Sequence, residues 1–224
     1  MAENLSSADP GVRVKVCGLT RVDEALCCAT LGVDWIGLNF HPASSRRVSL
    51  DEAAAIVSAL PPGCEPVGLF VDRAPEEIRA IAARVGFRIV QLHGDEPPED
   101  LLALGDLKVI RAFRLGDASA IAKMVASLSG ARALGRSPDA ILIDAYIPGQ
   151  SGGTGHSIPH ELLQTLPALP NLILAGGLTP ENVAERVALM RPWMVDVASG
   201  VESAPGRKDP GKVAAFVRNA RGVG

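Results

Sequence analysis

The run Val14-Lys15-Val16-Cys17-Gly18-Leu19-Thr20 is an apolar strand that ends on a cysteine, turns at a glycine and meets a threonine suited to opening a helix. This strand-turn-helix succession recurs about eight times along the chain. Apolar runs punctuated by Gly and Pro give strand cores near 12–17, 34–40, 66–71, 88–92, 107–113, 139–144, 171–175 and 193–198. Helical patterns fill the gaps near 21–32, 50–60, 75–85, 97–105, 117–129, 159–166, 180–190 and 209–220, the sixth confined by Pro159 and Pro167. Strict alternation calls for parallel strands joined by right-handed crossovers, and eight units call for closure. The expected fold is therefore α/β, a single-domain (β/α)8 barrel of the TIM type with eight parallel strands.

Local signals agree with that count. Thr20 precedes Asp23 by three residues and Ser49 precedes Glu52 by three, the spacing of a capping box. Thr179-Pro180 and Asp209-Pro210 each pair a capping oxygen with a proline at the first helical position, where its missing N–H costs nothing. Ile141-Leu142-Ile143 and Leu172-Ile173-Leu174 are apolar on both faces, as strands are when helices cover one side and a barrel core the other.

At 224 residues the chain is close to the roughly 250 of such a barrel, which predicts a short extension over 1–11 and one catalytic domain over 12–224. Hydrophobic residues make up 47% of it, yet no stretch reaches the ~20 apolar residues needed to cross a bilayer, so no membrane partner is expected. Its start has neither a basic segment nor an apolar core and does not read as a secretory signal. The four cysteines, Cys17, Cys27, Cys28 and Cys64, form no framework, which suits a reducing, cytoplasmic setting. Cys27 and Cys28 lie mid-helix and read as small packing residues. Net charge is −3 and the 22 Lys and Arg residues are scattered, so no nucleic-acid partner is expected. Closure leaves no sheet edge to pair, which favours a monomer over a homodimer.

Function in such barrels collects at the carboxyl ends of the strands. There stand Cys17, Asn39 with His41, Asp72, Gln91 with His93, Arg111 with Arg114, Asp144, Gly176-Gly177 and Ser199-Gly200. Strand alternation puts Lys15 and Cys17 on one face, and a nearby ammonium favours a thiolate able to take a proton from carbon. The plainer reading of Cys17 is an inert buried thiol. Asp144 closes an apolar strand, where a carboxyl can have its pKa raised enough to donate a proton; the plainer reading is a cap for the next loop. Arg46 and Arg47 follow strand two, where a guanidinium can grip a carboxylate bidentately or simply be solvated. Gly152-Gly153-Thr154-Gly155, Gly176-Gly177 and Ser199-Gly200 follow strands six, seven and eight, and three such clusters in adjoining units favour a phosphate cradle of backbone N–H groups. His93 is suited to contacting substrate or satisfying a loop carbonyl. His156 and His160 have a ligand-pair spacing, but Pro159 breaks the helix it needs, so no metal is expected.

These segments in this order resemble the phosphoribosylanthranilate isomerase family of tryptophan biosynthesis over nearly the whole chain after residue 12. The markers include Lys15-Val16-Cys17-Gly18-Leu19-Thr20, Asp34-Trp35-Ile36-Gly37-Leu38-Asn39-Phe40, Ser45-Arg46-Arg47-Val48-Ser49, Val90-Gln91-Leu92-His93-Gly94-Asp95-Glu96, Gly152-Gly153-Thr154-Gly155 and Val195-Asp196-Val197-Ala198-Ser199-Gly200-Val201-Glu202. The resemblance implies an Amadori rearrangement of a phosphorylated small molecule, N-(5-phosphoribosyl)anthranilate, without cofactor. It implies Cys17 as general base, Asp144 as general acid, Arg46 as the anthranilate carboxylate holder, and a phosphate site on the amides of Gly153, Gly177, Ser199 and Gly200, with Gly176 beside them. Two positions depart from the family pattern. His156-Ser157-Ile158-Pro159-His160 replaces the usual approach to Phe-Asp-Trp, and Ala198 stands where a serine is common.

Two other functions compete. A related barrel enzyme, such as an indole-glycerol-phosphate synthase or a pentose-phosphate epimerase, needs a lysine at a strand's carboxyl end or a His and carboxylate cluster, and neither can be assembled. A non-catalytic phosphosugar-binding protein would have no use for Cys17 and Asp144.

Overall fold

The computed structural model describes residues 11–145 and 166–222. In chain order these form β1 (Arg13–Cys17), α1 (Val22–Thr30), β2 (Trp35–Asn39), α2 (Leu50–Ala59), β3 (Glu65–Phe70), α3 (Pro75–Val85), β4 (Ile89–Leu92), α4 (Glu99–Ala103), β5 (Lys108–Leu115), α5 (Ala118–Ala133), β6 (Ala140–Ala145), β7 (Leu172–Leu174), α6 (Val183–Met190), β8 (Met194–Val197), a 3-10 turn (Ser199–Val201), β9 (Glu202–Ala204), β10 (Arg207–Lys208) and α7 (Pro210–Arg221). Strands β1 to β8 hydrogen-bond in sequence order and close into a barrel. Every pairing around it is parallel, and β1 meets β8 with Val16 opposite Val197. The sixth expected helix lies outside the described residues.

Alternation along each strand divides the apolar residues into two cores. Val14, Val16, Ile36, Leu38 and Val90 pack outward against helix residues such as Cys28, Ile56 and Phe216. Val67, Ile89, Ile110, Leu142, Ile173 and Met194 pack inward and fill the barrel. Fully burying one such side chain is worth roughly 1.5–3 kcal/mol. Trp35 and Trp193 meet edge to face at 5.3 Å, with the Arg13 guanidinium 4.8 Å over the Trp193 ring, where β2 and β8 begin. The amino end of the barrel is thereby closed with apolar surface, and the chemistry is left to the opposite rim.

The caps are mixed in outcome. Ser49 and Glu52 form the expected reciprocal capping box, and Asp209 accepts from the Lys212 amide with Pro210 at the first helical position. Thr20 does not cap α1: Arg21 occupies that position, and the Thr20 hydroxyl donates to the Gly206 carbonyl at 3.4 Å instead. Thr179 and Pro180 belong to a turn in which the Asn182 side chain accepts from the Thr179 amide at 2.8 Å, so α6 starts at Val183, later than expected. An unforeseen antiparallel pair, β9 with β10, folds back over the rim before α7.

Candidate active site

Cys17 is the last residue of β1, and its outward-packed neighbour Val16 puts the thiol on the barrel interior, 7% exposed. Lys15, one turn of the pleat below it, is fully buried, and its Nζ lies 3.0 Å from Asp196 Oδ1 on β8. Burial pulls the Lys15 pKa down, but the charges of Asp196 and Cys17 outweigh it, so the ammonium stays charged. For Cys17 the balance goes the other way. Burial pushes the thiol up, Lys15 opposes this, Asp196 adds to it, and burial wins. Lys15 favours the thiolate, as its place on the same face suggests, but desolvation exceeds the help of one ammonium that is itself shared with a carboxylate. Cys28 and Cys64 are pushed up to about 12, mainly by burial, and serve as packing.

Asp144 shares the inward face of β6 with Leu142, and its side chain is 30% exposed at the rim. His93 follows β4, and its Nε2 lies 3.4 Å from Asp144 Oδ2. On the other side of the ring, His93 Nδ1 lies 2.8 Å from Nε2 of the fully buried Gln91. The loop carrying His93 is braced from behind. Arg111 donates to the carbonyls of Gly94 at 3.1 Å and Glu96 at 2.9 Å and pairs with the buried Glu96 carboxylate, which also accepts from the Gly94 amide. Arg111 is therefore a loop brace.

Arg46 reaches back over β1. A Cβ on Gly18 would come within 2.5 Å of Arg46 Cδ, so this approach requires glycine at 18. Its Nε and Nη2 each donate at 2.7 Å to a different oxygen of Glu202, on β9. Glu202 also accepts from Lys208 Nζ at 2.8 Å, and Lys208 reaches the Ala198 carbonyl at 3.0 Å. Burial raises the Glu202 pKa, but hydrogen bonds from Arg46 and Lys208 together with their charges bring it below the ordinary value, and the carboxylate stays ionised.

Gly176 and Gly177 follow β7 with φ of 85° and 64°, and the Gly177 carbonyl accepts from Asn182 at 2.9 Å. Ser199 and Gly200 open the 3-10 turn after β8, where the first amides have no partner within the turn. A Cβ on Gly200 would stand 2.0 Å from the Leu178 carbonyl oxygen, so the two loops touch backbone to backbone. Gly153 lies outside the described residues. A cavity of about 630 Å³ opens beside His93, lined in part by Asp95, Arg114, Asp117 and Lys123. A larger one, about 770 Å³, lies among Arg79, Phe87 and Leu107 on the outer wall, remote from Cys17 and Asp144.

Cys17, Arg46, His93, Asp144, Gly176, Gly177, Ser199 and Gly200 thus all stand at the carboxyl rim of one barrel. Asp196, Glu202 and Lys208 were not anticipated as site residues, although a charge inside the apolar run Met194-Val195-Asp196-Val197 is a signal of an internal partner. Among the described residues no group of three or more His, Cys, Asp or Glu could hold a metal ion, and no helix is long and apolar enough to cross a membrane. His156 and His160 lie outside the described residues.

Residues 14–219 match the family model described as N-(5'phosphoribosyl)anthranilate (PRA) isomerase. An N-(5'-phosphoribosyl)anthranilate isomerase of Geobacter sulfurreducens is 44% identical, over 94% of this chain and 99% of that protein. The solved phosphoribosyl anthranilate isomerase of Thermotoga maritima superposes with a TM-score of 0.83 at 35% identity, covering 94% of this chain and 99% of that one. Another such structure, in complex with reduced 1-(o-carboxyphenylamino)-1-deoxyribulose 5-phosphate, gives 0.78 at 34% identity, covering 94% and 99%.

Proposed function

The chain belongs to the N-(5'-phosphoribosyl)anthranilate isomerase family, and on that premise we propose that Cys17 and Asp144 carry the reaction as general base and general acid. The substrate is N-(5'-phosphoribosyl)anthranilate, rearranged to 1-(2-carboxyphenylamino)-1-deoxyribulose 5-phosphate for tryptophan biosynthesis. The observation that carries the reading is that inward positions of β1 and β6 end at one rim of a closed barrel on a thiol and a carboxyl.

Asp144 gives its proton to the furanose ring oxygen as the C1'–O4' bond breaks toward that oxygen, and the anthranilate nitrogen lone pair forms C1'=N. The Cys17 thiolate then takes the C2' proton. The released pair forms C1'=C2', the C=N π electrons return to nitrogen, and the resulting enolamine tautomerises to the ketone. Reactant and product are isomers, so no oxidant or reductant is consumed. Lys15 limits the cost of the thiolate that burial opposes. Arg46 holds the anthranilate carboxylate, His93 stands beside the acid, and the amides of Gly177, Ser199 and Gly200, with Gly176 and Gly153 adjoining, hold the phosphate.

Incubation with freshly made phosphoribosylanthranilate, followed by the loss of its fluorescence, tests the proposal. Cys17→Ala and Asp144→Ala should each lose at least ~100-fold in turnover, the usual worth of a positioned acid or base. Near wild-type rates in either variant overturn its role.

A further inference from the structure

We infer that Glu202 and Lys208 are positioning residues that present one edge of the Arg46 guanidinium to the substrate carboxylate. The inference rests on the proposed role of Arg46. A guanidinium offers two bidentate edges, one through Nε and Nη2 and one through Nη1 and Nη2. Glu202 takes the first, with both donor distances 2.7 Å. Among the described residues nothing takes Nη1 or the second hydrogen of Nη2, which form a flat fork for a further carboxylate.

Charge counting points the same way. The trio Arg46, Lys208 and Glu202 carries one excess positive charge, and the Lys212 ammonium on the Glu202 carbonyl and the Glu24 carboxylate on the Lys208 amide, one of each sign, leave that balance unchanged. Its members are largely withdrawn from water: the side chains of Glu202 and Lys208 are 5% and 2% exposed, and that of Arg46 is 23% exposed. An excess charge in such a place is best compensated by an anionic ligand. The Arg46 side chain also lies close to the reacting end of the barrel, packed against Gly18, which directly follows Cys17.

The second lysine contact gives the cluster its reach. Lys208 Nζ holds the Ala198 carbonyl at 3.0 Å as well as Glu202 at 2.8 Å, and Ala198 directly precedes Ser199 and Gly200. Lys212 adds a 2.8 Å bond to the Glu202 carbonyl. One ammonium therefore ties the proposed phosphate loop to the proposed carboxylate clamp and sets the spacing between the two anionic ends of the substrate. A surface ion pair would set nothing of the kind, because it is free to swing.

Two other roles give opposite results. Glu202 as a stand-in, displaced when the substrate carboxylate arrives, would compete with it; Glu202 as a brace for the β9–β10 hairpin would be blind to it. Calorimetric binding of reduced 1-(o-carboxyphenylamino)-1-deoxyribulose 5-phosphate, and of the same compound lacking the ring carboxylate, separates them without any turnover. Glu202→Gln should weaken the carboxylated ligand about tenfold and leave the other within about twofold, as expected for loss of alignment in one charge-assisted bidentate contact. Tighter binding of the carboxylated ligand, or equal loss for both ligands, overturns the inference. Should Glu202→Gln fail to fold, Glu202→Asp, which keeps the charge but withdraws it from Arg46, supplies the same readout. Arg46→Ala is the control: if it does not discriminate between the ligands, the role of Arg46 itself falls, whereas discrimination by Arg46→Ala without any by Glu202→Gln sinks only the present inference.

Discussion

His93 Nε2 lies 3.4 Å from Asp144 Oδ2, and the opposite nitrogen of the ring, Nδ1, lies 2.8 Å from the Gln91 amide nitrogen. An amide nitrogen only donates, so Nδ1 accepts and the ring hydrogen sits on Nε2, the nitrogen nearer Asp144. Among the described residues Gln91 Oε1 is buried without a partner; turning the amide round would strand a two-hydrogen donor there instead of one acceptor. Under the proposed role of Asp144, the neutral ring beside Oδ2 would face the carboxylate left once a proton has been given. His93→Ala should lower kcat roughly tenfold or more. Nitrogen-15 spectra of the imidazoles provide the check, and an Nδ1–H tautomer for His93 in the resting protein would contradict this arrangement.

Burial raises the Cys17 thiol while Lys15 lowers it, and the lysine effect exceeds the opposing one of Asp196. The proposed pair needs the Cys17 thiol deprotonated and the Asp144 carboxyl protonated at once, so kcat/KM should pass through a maximum with pH, with Cys17 setting one limb. Removing Lys15 alone would strand Asp196 in the barrel, a costly change. The double variant Lys15→Met, Asp196→Leu removes both charges in similar volume and should fold. Because the larger, lowering influence goes with the smaller, raising one, the limb set by Cys17 should move to higher pH, with Lys208 left as the nearby cation. An unmoved profile would show that the buried pair is structural only.

The barrel was legible because an apolar run followed by a glycine or proline recurs in unit after unit, reinforced in some by a capping residue such as Ser49 or Asp209. The sequence singled out Cys17 and Asp144 because each stands near the carboxyl end of an apolar strand, and the structure puts both on inward positions at the rim. What failed depended on contacts between distant parts of the chain. Thr20 has the spacing of a cap, but its hydroxyl is taken by Gly206, 186 residues away. Glu202 has no local mark of function, and its task arises only when the β9–β10 hairpin brings it to Arg46, 156 residues earlier. The charge of Lys15 was visible in the sequence; its complete burial, which decides how much that charge helps Cys17, was not.

Gly200 tests the phosphate loop. A methyl group there would stand 2.0 Å from the Leu178 carbonyl oxygen, a backbone atom that cannot rotate away, so the loops after β7 and β8 must separate. Amides of both loops are proposed to hold the phosphate, and separation spoils their convergence on one anion. Gly200→Ala should therefore raise KM by at least about tenfold and weaken competitive inhibition by inorganic phosphate to a similar degree, the scale of one lost charge-assisted hydrogen bond. Gly130, within α5, is the matched control. Its added Cβ would meet Pro98 Cγ at 3.4 Å, an ordinary contact, so Gly130→Ala should leave KM alone and stabilise the protein by about 0.5–1 kcal/mol in denaturant titration. If both variants bind phosphate as the parent does, the grip lies elsewhere than on the Gly177 and Gly200 loops.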